Sequence, residues 1–304
     1  MGLKSWAKKK VSKAGKAAKS AGKAAKNAAG KVGKAGEKAA STVGKAGKQA
    51  AGKIGGTGKK VGARVGKGAA SVGEGALSVV QEAGNRLVGL PEAGLNALGV
   101  LPMKKLRLRV IVLAKSDGQP VVGTAVRSAE ELVKDAVAVA NDLFRREAKF
   151  KIVSAGAKMV TVDTKPAPAA ALEVRCDTGA LKDDLGEAGF YFRKRMARNA
   201  VGAVLGAGAP VTAFIVADVL NKAGCSLGPL TDYVTVDAGG IGDGSSRTLA
   251  HELGHALGLP HTGGAGSALS GNSGSNLMTS SGHGTNLNKR QVITVRNSRH
   301  VTFV

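Results

Sequence analysis

The sequence predicts an α+β domain of roughly 200 residues, a mixed, twisted sheet backed by two helices, behind a cationic extension of about a hundred residues. Three observations carry this. Short apolar runs with strand character are interleaved with one long amphipathic helical pattern. A second helical pattern, late in the chain, carries three of the five histidines. The composition also changes abruptly near residue 100, which places the domains at 1–103 and 104–304.

Each element follows from its own residues. Leu106 to Leu113 alternates basic and apolar residues and then becomes fully apolar, as suits a strand entering a sheet. Ser128 with Glu131 forms a capping box, and Leu132, Ala136, Val139 and Leu143 recur at helical spacing behind it. Phe150 to Val153, Leu172 to Arg175, Val211 to Val219 and Tyr233 to Asp237 read as further strands. The last of these runs through a glycine-rich turn, Gly239 to Gly244, into the histidine-bearing helix. Leu181 to Leu205 holds helical stretches that the pattern does not place.

The extension is a different material. Residues 1–70 hold 18 lysines, Arg64 and a single acidic residue, Glu37, so they carry +18 of the chain's +24. Lysines at 13, 16, 19, 23 and 26, and again at 31, 34 and 38, would share a helical face, but the opposite face is Ala and Gly, which bury little apolar area. Each internal glycine costs about 1 kcal/mol of helix stability relative to alanine, so a disordered or loosely helical segment is expected. From Ala76 to Leu101 the lysines give way to Leu and Val, yet Glu82, Arg86, Pro91 and Glu92 interrupt the run. No apolar span of about 20 residues results, and no transmembrane segment is expected.

The chemistry is concentrated in His251-Glu252-Leu253-Gly254-His255-Ala256-Leu257-Gly258-Leu259-Pro260-His261, the pattern H-E-x-x-H-x-x-G-x-x-H. At this chain's own residue frequencies, chance gives about 10⁻⁵ such segments. On a helix, positions i and i+4 share a face, so His251 and His255 can offer imidazoles to one ion with Glu252 beside them. Gly258 can take the left-handed conformation that ends a helix and Pro260 cannot continue it, so the chain turns back and His261 becomes the third ligand. Three protein nitrogens leave one position for water, the arrangement in which Zn2+ lowers that water's pKa to near 7 and Glu252 accepts its proton.

These eleven residues, followed by Met278 in Asn276-Leu277-Met278-Thr279, resemble the metzincin clan of zinc metalloproteases, whose signature pairs this motif with a methionine-containing turn beneath the metal. Leu287 to Gln291 resembles the start of the clan's last helix, with Asn288 as N-cap and Gln291 completing a capping box. The resemblance implies a metzincin-like zincin domain, in which the sheet and zinc-binding helix are followed by a small C-terminal subdomain, and a zinc endopeptidase acting on protein or peptide substrates. It also implies an edge strand at about Cys225 to Leu230 that pairs with extended substrate beside the cleft. One position departs from the clan: where some members carry a transition-state tyrosine, this chain has Ser280. His283, in the following glycine-rich loop, is the nearest candidate for that role, against its reading as a solvated loop histidine.

Further expectations concern setting. Met1 to Lys8 has the charge of a signal n-region with no apolar h-region behind it, so no signal peptide is expected. A protease made in the cytoplasm without one points to export or injection by a non-classical route. The cationic N-terminus would then engage secretion or contractile injection machinery, as befits a toxin or effector. Cys176 and Cys225 fit one disulfide at an oxidising destination, or two buried thiols. The competing reading is a polyanion-binding protein whose lysines grip nucleic acid or an anionic membrane by counterion release, with the zincin domain inactive or secondary. Trp6 alone is available in the tail to stack a base.

Overall fold

The computed structural model describes residues 102–175, 186–197, 208–226, 231–241, 247–262, 274–279 and 284–303. Residues 1–101 of the cationic extension, like Cys176, Ser280 and His283, lie outside them.

Strand β1 (Lys104–Ala114) is the spine. Its burial alternates through the basic-apolar half and becomes continuous from Val110 onward, as the sequence pattern requires of a strand whose second half is covered on both faces. One edge of β1 is shared by two strands in succession, β2 (Phe150–Ser154) along Lys104 to Leu108 and β3 (Val160–Pro166) along Val110 to Ala114. On the other edge lies β5 (Val211–Val216), then β8 (Tyr233–Asp237), then β7 (Gly224–Ser226), giving the order β2-β1-β5-β8-β7 in a seven-stranded sheet. The sheet is mostly parallel. Only β7, against β8, and the short β9 (Val301–Thr302), against β1, run antiparallel.

Helix α1 (Ala129–Ala148) begins at the capping box of Ser128 and Glu131 and ends at Lys149 in the left-handed conformation. Its buried face includes the expected Leu132, Ala136 and Leu143, while Val139 is half-buried and Val133, Val137, Ala140 and Phe144 complete the stripe. Phe144 stacks on Phe150 of β2, ring centroids 4.7 Å apart. Helix α1 packs on β2, β3 and the histidine-bearing helix α4 (Thr248–Ala256), which in turn packs on β7 and β8. Helices α1 and α4 thus both pack on the sheet.

Two strand readings are corrected. Val211 to Val219 is interrupted at Ala217 into β5 and β6 (Asp218–Leu220), because the Val219 amide turns to the Asp237 carboxylate (2.9 Å) and β6 pairs instead with β4 (Glu173–Arg175) in a separate two-stranded sheet. Leu172 ends a helical turn, α2 (Ala169–Leu172), rather than opening β4. The edge strand is found as β7, whose residues Cys225 and Ser226 belong to the expected run, with 227–230 outside the described residues. Helix α3 (Glu187–Arg195) sends Phe192 between Phe214 of β5 and Tyr233 of β8. The C-terminal helix α5 (Lys289–Arg296) starts at the capping box of Asn288 and Gln291. Its buried Arg296 donates to the carbonyls of Ala148, Lys149 and Pro102, tying the chain's end to the root of β1. Among the described residues, no helix is long and apolar enough to cross a membrane.

Candidate metal centre

Helix α4 brings His251 and His255 onto one face, and the chain reverses directly after it. The amide of Leu259 bonds to Gly254 O (2.9 Å) and that of Gly258 to His255 O (2.8 Å), with Gly258 at φ +90°, a left-handed helix end that a residue with Cβ adopts only at a cost. His261 is thereby carried back over the helix. The three Nε2 atoms form a near-equilateral triangle: 3.2 Å from His251 to His255, and 3.1 Å from each to His261.

These contacts are not ordinary hydrogen bonds. His251 Nδ1 lies 2.8 Å from Leu277 O and His255 Nδ1 lies 2.6 Å from Leu259 O, and a carbonyl can only accept. Each Nδ1 therefore carries the proton, which leaves both Nε2 atoms as bare lone pairs facing one another. Two acceptors at 3.2 Å repel unless a cation lies between them. A tetrahedral ion with nitrogen arms of about 2.0–2.1 Å would space its ligands about 3.3–3.4 Å apart, so the triangle fits a metal ion closely. The three histidines grade from buried (His251) through half-buried (His255) to exposed (His261), so one side of the cluster is open.

Electrostatics point the same way. Burial, reinforced by the neighbouring histidines and opposed by the backbone hydrogen bonds to Leu277 and Leu259, pushes His251 and His255 down to about 4, and burial also lowers His261, reinforced by the Lys222 charge. All three imidazoles are neutral at neutral pH, the form a metal requires. Beside them Glu252 is 5% exposed, and its Oε2 has no hydrogen-bond partner. Burial pushes its carboxyl up to about 8. Such an atom is costly to bury without a ligand, water or ion to meet it.

The surrounding glycines are there for room. A Cβ on Gly224 of the edge strand would stand 2.5 Å from Glu252 Cγ, and one on Gly254 would stand 2.7 Å from the sulfur of Met278. Met278 is fully buried, so its side chain lies directly under the helix that carries the histidines. Its turn is held by Asn276, whose side-chain oxygen accepts from the Met278 amide (2.9 Å) and whose amide group exchanges two hydrogen bonds with Gln291 of α5. The Thr262 amide donates to Met278 O (2.9 Å), which ties the residue after the third histidine to the same turn.

The structure thus gathers His251, Glu252, His255, His261 and Met278. Cys225 sits on the edge strand and is disulfide-bonded, its sulfur 3.7 Å from Arg175 O. Three contributors escaped the sequence reading: Gly224, Gln291 as a partner of Asn276, and Arg247. For Arg247 a signal existed, since it stands four residues before His251 and so shares its helical face. No protein-family model and no curated protein matches the chain.

Proposed function

We propose that this protein is a zinc-dependent endopeptidase of metzincin type, with His251, His255 and His261 holding the ion and Glu252 as general base. The observation that carries the reading is the Nε2 triangle, in which two protonated Nδ1 atoms leave lone pairs converging on one point with an open side. Zn2+ fits three imidazoles and a free fourth position, and when bound it supplies Lewis acidity toward water and toward the substrate carbonyl.

The chain's own groups do the rest. Glu252 takes the proton of the attacking water at Oε2, the atom without a protein partner, and delivers it to the departing amine. Burial alone would keep that carboxyl protonated near neutrality, but a cation on the histidines favours the carboxylate and restores its basicity. Edge strand β7, antiparallel and adjacent to Glu252 through Gly224, offers backbone groups to an extended substrate. Met278 shapes the floor beneath the histidines without ligating. The cationic extension serves delivery of an exported or injected effector.

The test is a peptide-library digest by the full-length chain, read by mass spectrometry, beside Glu252→Gln. The parent is expected to cleave, with the substituted chain keeping its zinc and losing about 10²- to 10⁴-fold in rate. Equal cleavage by both would overturn the assigned base.

A further inference from the structure

We propose that Arg247 is a positioning residue for the metal centre: its guanidinium clamps the methionine turn to the first turn of α4 and so aims His251. This inference rests on the reading of the three histidines as metal ligands.

The geometry is specific. One guanidinium nitrogen of Arg247 donates to Leu277 O, and the other donates to Thr279 O at 3.0 Å. The two carbonyls flank Met278, and a planar fork suits two acceptors better than a point-charge ammonium does. Leu277 O is also the acceptor for His251 Nδ1–H at 2.8 Å. A carbonyl oxygen has two lone pairs, so it accepts from both. Arg247 Nη1 lies 3.3 Å from His251 Nδ1, yet both are donors there, so this is an approach enforced by their shared acceptor rather than a bond. The position of Leu277 O sets where the imidazole hydrogen points, and hence where Nε2 faces.

Arg247 occupies the N-cap of α4 and makes no side-chain cap bond there, its guanidinium reaching instead to the methionine turn. Outer groups that orient a ligating histidine typically change metal affinity about 10- to 100-fold.

The test uses full-length protein and chelator competition for zinc. Arg247→Met is expected to weaken zinc affinity about 10- to 100-fold, with Arg247→Lys recovering only part of the loss because one ammonium cannot hold both carbonyls. In the metal-free protein, the hydrogen-bonded His251 Nδ1–H resonance, slow to exchange in the parent, is expected to broaden or exchange faster in Arg247→Lys. Unchanged affinity with an unchanged resonance would overturn the positioning role. So would full recovery of affinity by Arg247→Lys, which would make charge alone sufficient. A parent chain that binds no zinc would instead overturn the underlying metal reading. Should Arg247→Met fail to fold, Arg247→Lys with the resonance measurement decides the question.

Discussion

Gly224→Ala is the substitution that separates Glu252 from the histidines. The added Cβ would stand 2.5 Å from Glu252 Cγ, 2.7 Å from Cδ and 2.8 Å from Oε1. Ordinary contact begins at 3.4 Å, so the glutamate side chain must move by about 0.9 Å, or the edge strand must lift away by a similar amount. The three nearest atoms the methyl would meet all belong to Glu252, so zinc content should stay at the parent level. A displacement of about 1 Å at a reacting group costs about 10²-fold in rate, or about 2.7 kcal/mol of barrier. Overpacking should also cost about 1–3 kcal/mol of stability. The assay is kcat/KM on a peptide taken from the library digest, alongside zinc content and Tm. An alanine-substituted chain that keeps full zinc and cleaves at the parent rate would refute the reasoning, because it would mean that Glu252 need not sit where the edge strand holds it.

Other expected outcomes follow from single features. Met278→Leu conserves volume, so it should retain zinc and cost less than about 1.5 kcal/mol in denaturant unfolding; loss of zinc would make Met278 a ligand. His300 is fully buried, donates from Nδ1 to Ala209 O (2.8 Å), and is pushed down to about 3 by burial and then by Arg299, which already holds Asp232. Above pH 6.5 both folded and unfolded forms are neutral there, whereas below it only the unfolded chain takes the proton. The parent should therefore lose stability more steeply than His300→Gln as pH falls from about 6.5 toward 3, by about 1.4 kcal/mol per pH unit; parallel stability profiles for the two chains would contradict this. Cys225→Ser should lower stability by about 2–4 kcal/mol through loss of its disulfide, read as a drop in Tm that reducing agent reproduces in the parent alone.

Much of the fold was legible because its signals are local. Tyr233 to Asp237 was bounded as found, since a short run of aromatic and β-branched residues ahead of a glycine-rich turn reads as a strand, and the two capping boxes lie within four residues of chain each. What escaped depends on partners far away in sequence. Strand β3 alternates Val160 and Val162 with polar residues and ends in Lys165 and Pro166, and it is a strand because the second half of β1 has a free edge. Helix α3 has little apolar periodicity; Phe192 anchors it through rings on β5 and β8. Nothing at Ala217 announces a break, which is imposed by the Asp237 side chain twenty residues on. The histidine cluster was legible because the helix period fixes i and i+4 and a glycine fixes the reversal. Gly224 and Arg247 act on the site across tertiary contacts, so their roles became visible only once the edge strand and the methionine turn were in place.

The most direct test of the metal centre is zinc K-edge absorption spectroscopy on the full-length chain. One zinc per chain is expected, with three imidazole nitrogens at about 2.0–2.1 Å and one further oxygen or nitrogen neighbour. A sulfur scatterer at about 2.3 Å, or a zinc without imidazole scattering, would contradict the account.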